Sequence, residues 1–320
     1  MAPHVPVLLE RVTELLVDTP SGVLVDATLG AGGHARALLE ARLAHQGAAR
    51  LLGLDRDPDA LALAATRLAD LTDDPNVEVT LVRTRFDALG EVLDAAGITR
   101  VSGVLLDLGI SSMHVDRPER GFSFRADGPL DMRMDPALAT TAADLVNDLD
   151  AAALAGILDR YGEEPQARRI ARAVVAARPV TSTVQLAEVV RDAVPAAVRR
   201  RATHHPATRT FQALRIAVNG ELEALEAVLP VVLDRLAPGG VAVVLAYHSL
   251  EDRLVKRAFA AAAATCTCPP GLPVCVCGTT PLVEHLVRRP ERPGPEELAH
   301  NPRASAARLR AVRRTPEERS

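Results

Sequence analysis

The chain has 320 residues, of which 48% are hydrophobic and 24% charged, and this globular composition excludes the disordered and collagen-like classes. At about 150 residues per domain, the length predicts two domains, or one large domain that carries an insertion. The net charge of −4, the absence of Trp and the few rings (five Phe and two Tyr) argue against a nucleic-acid-binding protein, although residues 1–198 carry −10 and residues 199–320 carry +6.

The first residues lack a basic segment followed by an apolar one, so we expect no export signal. No apolar run reaches the roughly 18 residues of a membrane span. We therefore expect a cytoplasmic protein with no membrane association. In that compartment its four cysteines would be reduced or bound to metal and not disulfide-linked.

Four short apolar runs alternate with Ala/Leu-rich segments in the first third of the chain. The runs are too continuous for half-exposed strands, so they predict buried parallel strands at Gly22–Ala27, Arg50–Asp55, Val77–Val82 and Val101–Asp107. The segments between them predict helices at Ala35–Ala44, Pro58–Ala69 and Phe86–Ala95. This alternation is typical of an α/β, doubly wound, mostly parallel sheet of the Rossmann-like type.

The alternation stops after the fourth strand. A Gly/Pro/Asp-rich loop is followed only by helical patterns, at Thr141–Asp159, Pro165–Ala177 and Thr183–Arg201. A long helix at Thr208–Leu236, interrupted or ended near Pro230, then leads through a turn at Pro238–Gly240 to a strand at Val241–Ala246. We therefore predict a discontinuous core of residues 1–112 and 206–320, with an inserted helical substrate-recognition domain at residues 113–205.

A glycine-rich loop, DATLGAGGH, joins the first strand to its helix. Gly30, Gly32 and Gly33 allow backbone to approach a ligand, and the helix that begins near His34 presents N–H groups. The loop also matches the dinucleotide pattern G-x-G-x-x-A, which is weak evidence. Asp26 discriminates between the ligands, because its carboxylate would repel a pyrophosphate but would suit a ligand with an ammonium and a sulfonium.

A second acid, Asp55, closes the second strand 22 positions after Gly33, where doubly wound folds place a carboxylate on ribose hydroxyls. Together with Asp26 it predicts S-adenosylmethionine as the ligand. Asp107 closes the fourth strand and should face the same crevice, and Phe86 could lie against an adenine. The alternatives are that the three acids only cap turns or helices and that Phe86 belongs to the core.

Several long motifs of the chain resemble the ribosomal RNA small subunit methyltransferase H family, also called MraW. The matching segments are His4–Val12, Asp107–Asp135, His205–Leu225, Ala246–Phe259 and Asn301–Ala311. The resemblance covers nearly the whole chain. It implies a class I methyltransferase that methylates the exocyclic N4 of one cytidine in the decoding region (P site) of 16S rRNA, in the cytoplasm, with S-adenosylmethionine as methyl donor.

Carried over to this chain, the resemblance implies a set of cofactor-binding residues, which are Gly32, Gly33, His34, Asp55, Phe86, Asp107 and His114. His114 departs from the family pattern, since many members have Gln there, and Tyr247 replaces a common Phe. By analogy with amino-methyltransferases, Asp107 would be the catalytic residue that accepts a hydrogen bond from the amino group, with backbone carbonyls of residues 108–110 as co-acceptors. Methyl transfer to an amine requires no metal.

Nucleic-acid binding would depend on few side chains. Phe122 and Phe124 lie between arginines in a loop and could stack on RNA or anchor the loop to the core. Two arginine runs without intervening acids predict phosphate contacts of 16S rRNA or the 30S subunit; they are Arg199, Arg200, Arg201, Arg209 and Arg215, and Arg303, Arg308, Arg310, Arg313 and Arg314. His248 and Ser249 could contact the base or cap a helix.

Four cysteines, Cys266, Cys268, Cys275 and Cys277, surround a Pro-rich loop and could bind structural zinc, although their spacing is C-x-C instead of C-x-x-C. Reduced cysteines in a hairpin are the alternative. Rival functions are a methyltransferase for a small molecule or protein, an NAD-dependent oxidoreductase, which Asp26 opposes, and a non-catalytic ribosome-assembly factor. A C5-cytosine methyltransferase is disfavoured, because no cysteine ends a central strand. The sequence does not decide between a monomer and a homodimer.

Overall fold

The computed structural model describes residues 6–266, 268 and 277–316. The chain divides into two compact units, one of Met1–Gly109 with Glu223–Ser320 and one of Ile110–Leu222. We call them the sheet unit and the helical unit. Among the described residues, no helix combines the length and the apolar character that a bilayer span requires.

The sheet unit begins with a regular alternation of helices and strands. Its first strands are β1 (Val23–Asp26), β2 (Ala49–Asp55), β3 (Val77–Arg83) and β4 (Val101–Asp107). The helices are α1 (Leu9–Val17), α2 (Gly33–Gln46), α3 (Pro58–Thr72) and α4 (Leu89–Ala95). All four predicted strands and the doubly wound pattern are therefore confirmed.

The helical unit contains α5 (Ser112–Asp116), α6 (Ala142–Asp148), α7 (Ala151–Gly162), α8 (Ala167–Ala176), α9 (Thr183–Ala193), α10 (Ala196–Arg201) and α11 (Thr208–Asn219). Its core is apolar and includes Ile170, Leu186 and Leu214, all fully buried. Asn219 is a buried polar exception: its amide donates to the carbonyls of Met132 and Arg215 and accepts from the Met134 N–H.

The chain returns to the sheet unit through α12 (Glu221–Arg235), β5 (Leu236–Ala246), α13 (Ser249–Ala262), β6 (Val283–His285), α14 (Pro295–His300) and β7 (Arg308–Arg314). The seven strands found among the described residues form one sheet in the order β3-β2-β1-β4-β5-β7-β6. The first five run parallel, and β7 pairs antiparallel with β5 and β6.

Alternate residues of the central strands face opposite sides of this sheet. Val104 and Leu106 join one apolar cluster with residues of α4, α12 and α13. Leu105 joins another with residues of α1, α2 and α3. Because both faces are covered by helices, the strands are apolar throughout, as the sequence pattern indicated.

Several predicted boundaries were wrong for local reasons. The pattern at Thr141–Asp159 forms two helices because Asp150 caps the second, and the pattern at Thr183–Arg201 breaks before α10 at Pro195. The long helix ends at Gly220, whose φ is +60°, and Pro230 lies inside α12. The turn at residues 238–240 is an irregularity within β5, where the register with β4 shifts.

The domain boundary also differs from the prediction. Residues 206–222 were expected in the core, but the structure places them in the helical unit. The reason is the packing of α11 against α7: a Cβ on Gly162 would lie 2.8 Å from the carbonyl oxygen of Arg209. Phe211 of the same helix is buried in the core of the helical unit.

Candidate active site

Three acidic residues end neighbouring parallel strands of the sheet unit. Asp26 is the register partner of Gly53 in β2 and of Leu105 in β4. Asp55 and Asp107 each lie two residues beyond those partners, at the same edge of the sheet. The structure therefore brings together the three acids that the sequence singled out, at the edge where open α/β sheets bind ligands.

Asp26 is the deepest of the three, with only 1% of its surface exposed. Its Oδ1 accepts a hydrogen bond of 3.2 Å from the N–H of Thr28. Burial, helped by the negative charges of Asp107 and Asp55, raises the pKa of Asp26 to about 7, although nearby His34 and the hydrogen bond from Thr28 act in the opposite direction. A cation bound beside this carboxyl would favour its ionised form.

Asp55 shapes the glycine-rich loop. Its Oδ2 accepts from the Gly30 N–H at 2.8 Å, and its Oδ1 accepts from the Asp57 N–H at 2.8 Å. The alternative that Asp55 caps α3 is wrong, because Asp57 is the cap and accepts from the Asp59 N–H. Asp55 thus connects the end of β2 to the loop after β1.

The glycines of the loop have packing roles that the sequence did not show. A Cβ on Gly32, whose φ is +75°, would lie 3.2 Å from the Cβ of Ala64 in α3, and a Cβ on Gly33 would lie 2.5 Å from Cγ of Pro6. These two glycines therefore allow close packing within the protein. No described side chain caps the first turn of α2, so its N–H groups remain suited to a polar ligand.

The carboxylate of Asp107 accepts a hydrogen bond at one oxygen and has an imidazole near the other. The Tyr247 hydroxyl donates to Oδ1 at 2.8 Å, and Nε2 of His34 lies 3.5 Å from Oδ2. The backbone N–H of Asp107 donates to Oγ1 of Thr28 at 2.6 Å. A quarter of the Asp107 side chain is exposed, so the oriented carboxylate is accessible as a hydrogen-bond acceptor.

Tyr247 is a functional candidate whose contact the sequence did not reveal. Burial and the neighbouring Asp107 carboxylate raise the pKa of its hydroxyl well above its usual value, so it stays a hydrogen-bond donor. Its ring lies against Gly109, where a Cβ would be 3.3 Å from Cδ2 of the ring. The only sequence signal was a hydroxyl at a position where many relatives have Phe.

His34 is buried, and within the described part of the chain neither of its ring nitrogens has a hydrogen-bond partner. Buried polar atoms of proteins are normally satisfied. An imidazole with two such atoms beside the Asp107 carboxylate is therefore consistent with a polar ligand at this edge. Phe86 is half-buried against the core, which fits both of its proposed roles.

His248 caps α13, so the capping alternative is confirmed for this residue. Its Nδ1 accepts from the Glu251 N–H, and the Glu251 carboxylate accepts from the N–H groups of Tyr247 and His248. This capping box fixes the turn that carries Tyr247. Ser249 is the first residue of α13.

His114 and the two Phe residues of the predicted RNA-stacking loop belong to the helical unit. His114 is buried, and its ring lies 4.8 Å from that of Phe122, which is itself buried in the core. Phe124 packs on Phe211 and His205, with ring centroids 4.8 and 4.7 Å apart. Of the two alternatives for the Phe rings, anchoring of the loop is confirmed for Phe122, whose ring is buried in the core of the helical unit.

Neither arginine run contains an acidic residue in the sequence, but in the structure several of these arginines contact acidic residues from other parts of the chain. Arg215 forms a bidentate pair with Glu221 at 2.8 and 2.9 Å, and Asp252 accepts hydrogen bonds from Arg308 and Arg310. Arg209 donates to the Glu163 carbonyl, Arg314 to that of Leu233, and Arg313 lies 3.6 Å from Glu284. These arginines therefore have partners within the protein, which the acid-free runs did not predict.

The donor set at the strand ends fits the cofactor expected from the sequence. Asp26, Asp55 and Asp107 provide the negative charge that an ammonium and a sulfonium require. The unsatisfied His34 ring and the uncapped first turn of α2 provide polar groups. A pyrophosphate would face three carboxylates at this edge, which disfavours a dinucleotide.

The sequence matches the model of the MraW methylase family over residues 1–315. Proteins named ribosomal RNA small subunit methyltransferase H are similar along nearly the whole chain. That of Acidothermus cellulolyticus is 52% identical over 322 residues, covering 99% of this chain and 95% of the relative. That of Heliobacterium modesticaldum is 49% identical over 313 residues, covering 97% of each.

Solved structures show a weaker likeness. An rRNA methylase from Streptococcus thermophilus is 14% identical with a TM-score of 0.38, over 96% of this chain and 93% of that one. A SAM-dependent O-methyltransferase from Thermotoga maritima is 10% identical with a TM-score of 0.41, over 100% of this chain and 70% of that one. The full-length family match and the relatives at about half identity establish that the chain belongs to the MraW methylase family and uses S-adenosylmethionine.

Proposed function

We propose that the protein transfers a methyl group from S-adenosylmethionine to the exocyclic N4 of a cytidine in the decoding region (P site) of 16S rRNA. The relatives that are about 50% identical are named for methylation of small subunit ribosomal RNA. The observation that carries the N4 assignment is the accessible Asp107 carboxylate, oriented by Tyr247 at the end of β4.

Bound S-adenosylmethionine supplies a methyl group on an electrophilic sulfonium. The cytosine amino group is a poor nucleophile, because its lone pair is delocalised into the ring. A carboxylate that accepts a hydrogen bond from this group favours a pyramidal nitrogen and offsets the positive charge that develops there. When the nitrogen–methyl bond forms and the sulfur retains the electrons of the broken bond, one amino proton leaves, and Asp107 can accept it and pass it to solvent.

Tyr247 restricts the geometry of this acceptor. Its hydroxyl occupies Oδ1 of Asp107, which leaves Oδ2, on the His34 side, for the amino group. A fixed acceptor reduces the reorganisation needed at the reacting nitrogen. The backbone carbonyls of residues 108–110 would be co-acceptors.

The cofactor would be held by Gly32, Gly33, His34, Asp55, Phe86, Asp107 and His114. The N–H groups at the start of α2 and the His34 ring offer hydrogen bonds, and the accessible part of the Phe86 ring offers an apolar face. His114 enters this set through the family resemblance, and its Nδ1 lies 3.2 Å from Oγ of Ser111.

We assign RNA recognition to the helical unit. Several arginines of the two runs have partners within the protein. Arg200 and Arg201 of α10, in contrast, are exposed and have no ion pair among the described residues. Exposed guanidinium groups suit phosphate contacts of 16S rRNA in the 30S subunit. With this substrate, the reaction would take place in the cytoplasm.

The test is transfer of a radiolabelled methyl group to 30S subunits, naked 16S rRNA and free cytidine, followed by mass-spectrometric mapping. We expect N4-methylcytidine at one position of 16S rRNA. Asp107→Ala should abolish transfer even at S-adenosylmethionine concentrations that calorimetry shows to saturate the variant, and Asp73→Asn, on the exposed end of α3, should transfer normally. Unchanged turnover of Asp107→Ala would remove this residue from catalysis, and a methyl group at another atom would overturn the N4 assignment.

A further inference from the structure

We propose that Cys266, Cys268 and Cys277 form a structural zinc site in the sheet unit. Their three sulfur atoms lie within 4.8 Å of one another. Thiolates are soft ligands that select zinc over the hard cations magnesium and calcium. The proposal is independent of the methyl-transfer reaction, and none of the three residues belongs to the candidate active site.

The distance between two of the sulfurs fits a shared metal ion. Sγ of Cys266 and Sγ of Cys277 are 3.8 Å apart. Two thiolates bound tetrahedrally at about 2.3 Å from zinc are separated by about 3.8 Å. A disulfide would require about 2.05 Å between the same atoms.

The three thiols lie near the two ends of the loop between α13 and β6, and a backbone hydrogen bond closes the base of this loop. Cys266 and Cys268 follow α13, and Cys277 precedes β6. At the base, the Leu282 N–H donates to the carbonyl of Ala262 at 2.8 Å. A metal bound by both arms would add a cross-link to this loop and reduce the entropy of the unfolded chain.

Hydrogen bonds to the sulfurs favour thiolates. The Thr279 hydroxyl donates to Sγ of Cys277 at 3.1 Å, and the Cys268 N–H donates to Sγ of Cys266 at 3.4 Å. Hydrogen-bond donors of this kind orient the residues that bind a metal ion and tune the charge on their ligand atoms. Sulfur atoms that already act as acceptors are suited to an electrophilic metal ion.

The described residues supply three of the four ligands of a tetrahedral site, and water can be the fourth. Cys275, which the sequence analysis grouped with the other three, lies outside the described residues. Binding converts each thiol to a thiolate and releases its proton to solvent, without a change of redox state. Zinc is therefore expected to leave the site as the pH falls.

The test is the zinc content of the full-length protein, purified without a histidine tag and under reducing conditions. We expect about one zinc per chain in the wild type and less than about a tenth of that in the triple variant Cys266→Ser/Cys268→Ser/Cys277→Ser. His285→Ala removes an exposed potential ligand on β6 and should keep the full zinc content. A wild type without zinc, or a triple variant that retains it, would overturn the proposal.

Two further measurements separate metal loss from misfolding. Co²⁺ added to the metal-free wild type should give tetrahedral ligand-field bands and sulfur-to-metal charge transfer, and Cys277→Ser alone should weaken both. Chelation should lower the melting temperature of the wild type, restored by Zn²⁺ but not by Mg²⁺, and should not change that of the triple variant. Calorimetric binding of S-adenosylmethionine by the triple variant would show that its sheet unit is folded, whereas octahedral Co²⁺ spectra in the wild type would refute a thiolate site.

Discussion

The replacement of Asp26 by Asn tests the electrostatics of the strand-end carboxyls. Asn has nearly the same shape as Asp, and its Oδ1 can still accept the hydrogen bond from the Thr28 N–H. The variant removes the ionisable group from a position that is only 1% exposed. What changes is therefore the dependence of stability on pH.

The direction in which the wild type's stability changes with pH follows from the two pKa values of Asp26, 3.8 in the unfolded chain and about 7 in the folded protein. Between them the folded state keeps a proton that the unfolded state has released, so the free energy of unfolding falls as the pH rises through this window. At about 1.4 kcal/mol per pKa unit, the whole effect is about 4 kcal/mol, of which about 2.5 kcal/mol arises between pH 5 and pH 8.

The assay is urea unfolding at pH 5 and pH 8, without cofactor, followed by far-ultraviolet circular dichroism because the chain has no Trp. The stability of Asp26→Asn relative to the wild type should rise by about 2.5 kcal/mol from pH 5 to pH 8. Asp73→Asn, at an exposed carboxyl, should show no such change. A stability difference between Asp26→Asn and the wild type that is equal at both pH values would refute the reasoning.

Three further variants test other contacts. Tyr247→Phe removes one hydrogen bond to a carboxylate, so we expect single-turnover methyl transfer to slow about tenfold, with cofactor affinity unchanged; an unchanged rate would contradict an orienting role. Asn219→Ala leaves its backbone partners unsatisfied and should lower the free energy of unfolding by about 3 kcal/mol in urea titrations; a loss below about 1 kcal/mol would count against this network. Affinity for 16S rRNA falls with salt at a slope set by the number of phosphate contacts, and Arg200→Ala/Arg201→Ala should lower that slope by the equivalent of about two contacts. Arg50→Ala, on β2, should leave the slope unchanged. A slope for the double variant equal to that of the wild type would exclude α10 from the interface.

Much of the sheet unit could be predicted from local sequence. Continuous apolar runs indicated β1 to β4, because strands covered on both faces have no polar alternation. The errors arose where a single residue decided a boundary. Gly220 ends a helix that was expected to be interrupted or ended near Pro230, since Pro230 is accommodated within α12 and Gly220 adopts a positive φ.

The site could be predicted in part. Asp26, Asp55 and Asp107 were identifiable because each ends a predicted parallel strand, and parallel strands end at one edge. The contact between Tyr247 and Asp107 could not be predicted, because it joins residues that are 140 positions apart in the sequence. The packing of Gly33 against Pro6 likewise depends on segments that only the fold brings together.

The sequence by itself determined the class of the sheet, the edge at which the three strand-end acids lie and the negative character of that edge, because these follow from local periodicity and from the residue type at each strand end. Only the tertiary structure decided which charges are available for a partner. Arginines in an acid-free stretch are neutralised by distant acids, as Arg310 is by Asp252, 58 positions away. Electrostatic pairing depends on distance in space, and the spacing of charges along the chain does not report it.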